Sequence, residues 1–252
     1  MNNNRVKPSA PFAADVSTDN EGWKAVVEVV IPAKNEASMI DEVLRGVKEY
    51  ADIVVVVDGH SDDETLAIVE KNEVEVINQK GLGKGGALRE AFDRVKGDIV
   101  IMMDSDGSML PQEIPSFVKA ITSGADVVKG SRFLGKGHSE DMTVIRKIGN
   151  LFFLFLVNKI WSTRYTDLCY GFKAFRRESV ERLRPHLDST KFDIETEICI
   201  KSKKLGLKVV EIPSFERKRI YGKSNLSTVR DGARILRRIL KELLQRRLAR
   251  SY

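Results

Sequence analysis

Between Val26 and about Ser131 short β-branched runs alternate with amphipathic stretches. The run VVEVVIPA (26–33) predicts a strand, and EASMIDEVLRGVKEY (36–50) a helix whose Met39, Ile40, Val43 and Val47 recur at helical spacing. DIVVVVDG (52–59) is almost wholly apolar, as a parallel strand covered on both faces should be. The same alternation continues through a helix in DDETLAIVEKN, a strand in VEVINQ, a helix in GGALREAFDRVKG and a strand in DIVIMMD. QEIPSFVKAITSG is then helical and ADVVKGSRF extended. Such a βαβ series predicts an α/β fold, a mostly parallel sheet flanked by helices with right-handed crossovers. Ligands of these sheets sit beyond the carboxyl ends of the strands, where Asp58, Asp104 and Asp106 fall.

After Phe133 the pattern changes. A polar connection (135–150) leads into LFFLFLVNKIW, whose seven consecutive apolar residues are far fewer than the roughly 20 that a membrane-spanning helix needs. Either a core helix or a helix lying at a membrane interface fits it. IETEICIKSKKLG predicts another helix and KVVEIPSFERK another strand. Residues 228–252 predict a basic amphipathic helix with Ile235, Leu236, Ile239, Leu240, Leu243 and Leu244 on one face. Residues 1–24 are polar, lack the apolar stretch of a signal peptide, and read as a disordered leader.

Charge sharpens the picture of the tail. Eight Lys and Arg against Asp231 and Glu242 after residue 227 account for the whole net charge of +6. With no general basic surface, a nucleic-acid groove is not expected. The tail helix suits an anionic membrane surface, or equally a terminal helix packed on its own domain with a solvated basic face. The two cysteines, Cys169 and Cys199, are far apart without CxxC spacing, which predicts reduced thiols in a cytoplasmic protein. The three histidines show no metal-binding spacing.

The chemistry concentrates at DSDG. Asp104 and Asp106 follow an apolar strand and, by strand alternation, would share a face about 7 Å apart. Like charges so placed require a cation or a shared proton. GLGKGG (81–86) fits GxGxxG but follows the third predicted strand, whereas a dinucleotide fingerprint closes the first βα turn. No GxxxxGK[ST] is present, which argues against a P-loop.

Taken in order, IPAKNE, VDGHSDDET and DSDG resemble the family 2 glycosyltransferases, whose nucleotide-sugar-binding fold is called GT-A. GSRF, IRKIGN, TDLCYGFKAFRRE, VEIP and RIYGKSNLS extend the resemblance to the dolichol-phosphate mannose synthase branch, from about Val26 to Ser227. Members of that branch transfer one hexose from a nucleotide sugar to a polyprenyl phosphate. The resemblance implies a nucleotide-sugar part (25–133) and an acceptor part (134–227). It further implies inverting, metal-dependent transfer from a UDP- or GDP-hexose, at the cytoplasmic face of a membrane. Asp104 and Asp106 would hold Mg²⁺ or Mn²⁺, hard cations that prefer carboxylate oxygens. Pro32, Ala33, Lys34 and Glu36 would line the base, and Asp58 would accept hydrogen bonds from ribose or base. Lys84, Arg219, Lys223 and Ser224 would meet the donor pyrophosphate, and Arg132 and Arg146 the lipid phosphate, through charge-assisted hydrogen bonds. Asp167 is a candidate active-site carboxylate or an orienting group. LCYGFKAF departs from the family's TSGFRAF and places Lys173 where that pattern has arginine.

Other readings share part of this pattern. A soluble, glycan or other lipid acceptor would use the same donor-side residues. A nucleotidyltransferase would need a glycine-rich, arginine-containing loop after the first strand, which IPAKNEAS lacks. A non-catalytic nucleotide-sugar binder would show no turnover.

Overall fold

The computed structural model describes residues 25–219 and 227–248. The chain runs β1 (Val27–Ala33), α1 (Ile40–Lys48), β2 (Ile53–Asp58), α2 (Thr65–Lys71), β3 (Glu75–Asn78), α3 (Lys84–Phe92), β4 (Ile99–Met102), α4 (Ile114–Thr122) and β5 (Val127–Ser131). The second half adds β6 (His138–Ser139), α5 (Val144–Trp161), β7 (Lys173–Arg176), α6 (Arg177–Leu183), α7 (Ile194–Lys204), β8 (Val209–Pro213), β9 (Phe215–Glu216) and α8 (Thr228–Leu248). The leader (1–24) and the positions of Lys223 and Ser224 lie outside the described residues.

Seven strands form one sheet in the order β3-β2-β1-β4-β7-β5-β8. All neighbours are parallel except β7, which runs antiparallel to both β4 and β5. The pattern predicts the mostly parallel sheet but not the central place of β7. This sheet draws on both sides of residue 133, with β1–β5 before it and β7 and β8 after it.

β4 is wholly apolar, and so are β1 and β2 apart from Glu28 and the terminal Asp58, because each face of the sheet has its own core. Val29, Ile31, Val54, Val56, Ile99 and Ile101 point into a cluster with Ile40, Leu44 and Phe117. The alternate residues Val30, Val55, Val57, Val100 and Met102 point into a second cluster with Leu88, Phe92, Leu183 and Ile198. That division is the two-residue period of a strand. Two aromatics of the β7 region join the cores: Phe172 stacks on Phe117 at 4.2 Å, and Phe175 meets Phe92 edge-on at 5.7 Å.

A third cluster lies beside the sheet, where α5 and α8 meet α7 through Phe153, Leu154, Val157, Trp161, Ile200, Ile235 and Ile239. Of the six apolar residues on the predicted face of α8, Ile235 and Ile239 are buried and Leu236 and Leu243 are packed against this cluster. Leu240 and Leu244 remain exposed. Nor is the basic face simply solvated: Arg238 is buried among Asp188 (2.6 Å), Asp193 (3.2 Å) and Glu197 (2.9 Å), and Lys201 bridges to Glu242 at 2.9 Å. The packed form of the terminal helix is what the fold adopts.

Candidate active site

The parallel register sets Ala33 beside Asp58, and Val30 beside Met102, so the carboxyl ends of β1, β2 and β4 open on the same side. A cavity of about 520 Å³ lies there, walled also by the start of α5 and of α8. Pro32, Ala33, Lys34, Glu36, Lys84, Asp104, Asp106, Arg132, Arg146 and Arg219 all line it.

β4 ends at Met102, so Asp104 and Asp106 stand in a turn and not on a strand. Strand alternation is therefore not what brings them together. Asp106 accepts a hydrogen bond from the backbone N–H of Ser108 at 3.0 Å, and Gly107 takes φ +74 to close the turn. Each carboxylate already has a cation. Lys84 Nζ lies 2.5 Å from Asp104 and 2.6 Å from Glu195, while Arg219 pairs with Asp106. Burial opposes the Lys84 charge, but Asp104 and Glu195 together hold its pKa well above the ordinary lysine value. Gly171 allows this grouping, since a Cβ there would stand 2.9 Å from both Asp104 Oδ2 and Lys84 Nζ. Glu36 is a further carboxyl in the cavity wall. Burial first, and then the Asp106 charge, push its pKa up from 4.5 to about 7.

Among the described residues, the buried polar atoms without a partner include Arg219 Nε and Asp58 Oδ1. The first lies on a cavity-lining guanidinium, where a phosphate oxygen would satisfy it. Asp58 itself does not line the cavity; its neighbour Gly59 does, and Asp58 Oδ2 accepts the Ser61 N–H at 3.2 Å. Among the described residues no cluster of three or more metal-ligating side chains occurs. Asp104 and Asp106 nevertheless fit a hard divalent cation, because Mg²⁺ is commonly held by one or two carboxylates with substrate phosphates and water completing the shell.

The same cavity has further basic lining residues, and they are tightly held. Arg132 donates from Nε to Asp167 Oδ2 at 2.7 Å and from Nη2 to Oδ1 at 3.0 Å, a two-pronged pair, and its Nη1 reaches Glu216 at 3.1 Å. Its guanidinium also lies 4.6 Å from the centre of the Tyr170 ring. Asp167 is fully buried and does not line the cavity; it stands behind Arg132. Lys173, in β7, is also fully buried; it donates to the Tyr170 carbonyl and does not itself line the cavity. Arg146 projects from the first turn of α5 and lies 3.8 Å from Asp141.

The glycines of GLGKGG serve the packing of a second segment. A Cβ on Gly85 would stand 2.5 Å from the Ser189 carbonyl oxygen, and the Gly86 N–H donates to the Thr190 carbonyl at 3.3 Å. That contact brings Lys191 and Glu195 to the cavity, neither of which the sequence pattern singles out. Arg230 and Arg234, which the sequence shows only as tail charge, also line it. Cys169 and Cys199 are free thiols.

Residues 28–184 match the glycosyl transferase family 2 model. The chain is 33% identical over 232 residues to a dolichol-phosphate mannosyltransferase of Pyrococcus furiosus, covering 85% of this chain and 64% of that one. It is 31% identical over 223 residues to a dolichyl-phosphate hexose transferase of Haloferax volcanii, covering 87% of this chain and 95% of the relative. The fold matches that of glucosyl-3-phosphoglycerate synthase from Mycobacterium tuberculosis, crystallised with Mn²⁺, uridine-diphosphate-glucose and phosphoglyceric acid. The TM-score is 0.70 at 19% identity, over 90% of this chain and 86% of the other. With the family match spanning more than half of its length, this chain is a member of glycosyl transferase family 2.

Proposed function

We propose that the chain transfers a hexose from a nucleoside-diphosphate sugar to a polyprenyl phosphate at a membrane surface, with inversion at the anomeric carbon. One observation carries this reading: a single cavity is lined both by two carboxylates, each held by a cation, and by Arg132 and Arg146. The names of the Pyrococcus and Haloferax relatives support the lipid phosphate as acceptor.

Asp104 and Asp106 would hold Mg²⁺ or Mn²⁺, which when bound neutralises the charge developing on the leaving diphosphate. Lys84 and Arg219 then have phosphate oxygens as alternative partners to their carboxylates, and Arg219 Nε gains the acceptor it lacks among the described residues. Pro32, Ala33, Lys34 and Glu36, which line the cavity, would meet the base, and Asp58, next to the lining residue Gly59, would serve ribose or base. Lys223 and Ser224 belong to the same proposal by resemblance alone. Arg132 and Arg146 orient the acceptor phosphate opposite the diphosphate. A phosphate monoester is already ionised near neutral pH, so attack needs no strong general base. Asp167 accordingly acts as the group that fixes the Arg132 fork.

The test is incubation with labelled UDP- and GDP-hexoses, a polyprenyl phosphate and Mg²⁺ or Mn²⁺, followed by organic extraction. Label in the lipid phase, lost on chelation and lost in Asp106→Ala with an unchanged melting temperature, is the expected result. Label only in a soluble or glycan product overturns the acceptor assignment. Full activity in Asp106→Ala overturns the metal assignment.

A further inference from the structure

α5 carries two apolar faces, and only one of them is covered. Phe153, Leu154, Val157 and Trp161 are buried against α7 and α8. On the other side Val144, Ile145, Ile148, Leu151, Phe152 and Phe155 are 73%, 70%, 62%, 49%, 51% and 60% exposed. At about 100° per residue these six fall within an arc of about 120°, a continuous stripe along the helix. Singly exposed apolar residues are ordinary, whereas a contiguous stripe of large ones marks a contact surface. We propose that this outward face of α5 docks the protein on an anionic lipid bilayer.

Three features of the helix favour a bilayer. The first is charge. α5 bears Arg146, Lys147 and Lys159 and no carboxylate. Lys147 and Lys159 fold back over Phe133 and Phe155, at 5.9 and 5.6 Å from the ring centres, so their charge lies close to apolar surface. Cations beside an apolar stripe match anionic head groups above acyl chains. A second copy of this chain fits less well, because a two-fold interface sets the same patch against itself and brings like charges together.

The second feature is length. Among the described residues no helix is long and apolar enough to cross a membrane, so α5 would lie in the plane of the interface. The third is continuity with the cleft. Ile145 belongs to the stripe and also lines the cavity, beside Arg146. A bilayer against the stripe therefore lies at the cavity mouth, next to the proposed phosphate clamp.

This placement differs from one through α8, where four of the six apolar residues already face the domain. The inference rests on the reading of a lipid-borne acceptor for its purpose. Its test uses vesicles that contain no polyprenyl phosphate, so the two can fail separately.

The experiment is co-sedimentation of the full chain with phosphatidylglycerol–phosphatidylcholine vesicles at low salt. Three proteins are compared: the native chain, the triple variant Ile148→Gln/Phe152→Gln/Phe155→Gln, and Leu240→Gln/Leu244→Gln. The native chain is expected to bind, and the α5 variant to lose at least about tenfold in affinity by losing the burial of three large side chains. Its melting temperature should fall by no more than a few degrees, since more than half of each of these residues is already exposed, and the α8 variant should bind like the native chain. The inference is overturned if the native chain ignores anionic vesicles, if the α5 variant binds as the native chain does, or if only the α8 variant releases the protein. A native dimer that becomes a monomer in the α5 variant, by sedimentation equilibrium without lipid, overturns it in favour of a copy-to-copy interface. Vesicle binding without any lipid glycosylation would sink the acceptor reading and leave the docking surface standing.

Discussion

Removing Asp167 should cost stability before it says anything about chemistry. Its side chain is wholly buried, and the Arg132 side chain that it holds is 7% exposed. Asp167→Ala leaves that guanidinium with Glu216 as its remaining ion-pair partner. Breaking a buried pair from one side costs about 3–5 kcal/mol because the surviving charge stays in low dielectric. Glu216 and the adjoining cavity relieve part of this, so the low end, about 3 kcal/mol, is the expectation. For a domain of this size that corresponds to a melting temperature lower by about 6–12 °C. The double variant Arg132→Met/Asp167→Leu removes both charges at similar volume and should recover most of the loss, since apolar replacement of a buried pair is often neutral. Thermal melts of the two singles and the double complete a cycle that isolates the pair. The double should still fail in transfer, with the acceptor concentration dependence lost along with Arg132. If Asp167→Ala melts within about 2 °C of the native chain while transfer stops, Asp167 is not the buried counter-charge of Arg132 and must act on the reaction itself.

Lys84→Met should leave Asp104 and Glu195 without their shared cation. We expect KM for the nucleotide sugar to rise about 10- to 100-fold, the equivalent of one charge-assisted hydrogen bond, and an unchanged KM would refute the assignment of Lys84 to the diphosphate. Burial pushes the Glu113 carboxyl up from 4.5 to about 7, although Ser214 and the Phe215 N–H both donate to it. Between those values the folded chain holds a proton that the unfolded chain has released, so stability falls as pH rises through that window. Glu113→Gln removes this contribution, and urea midpoints taken from about pH 4 to pH 8 should show a shallower decline; equal slopes would refute it. Some decline should persist, because Glu36 is shifted in the same direction.

How much of this molecule is written in local pattern can be judged element by element. β1, β2 and β4 are legible because a strand covered on both faces reads as a nearly continuous apolar run, and the helices between them because only one of their faces is covered. The position of DSDG after β4 is legible for the same reason: parallel strands with right-handed crossovers end on one side. Local pattern thus places both carboxylates in the cleft, although a turn and not strand alternation brings them together. What local pattern could not supply is who meets whom across long stretches of chain. Lys84 and Glu195 are 111 residues apart in sequence, and nothing near either announces the other. Arg132 and Asp167 each look like a cleft residue in isolation, and only the insertion of β7 between β4 and β5 sets one behind the other.

The two long helices show the limit most clearly. Helical period tells which residues of α5 and α8 share a face, and it does so from the sequence alone. It does not tell which face meets the domain, because that depends on the shape and charge of elements far away in the chain. α8 turns Ile235, Ile239 and Arg238 inward because the cluster on α5 and α7 and the carboxylates Asp188, Asp193 and Glu197 are there to receive them. α5 is apolar on both sides, so its sequence hides the difference between the side that the fold buries and the side that it leaves in water. Sequence determined the elements, the end of the sheet that carries the chemistry and the kinds of side chain placed there. Tertiary structure decided the partners, because burial and charge pairing are settled between surfaces that only the finished fold brings into contact.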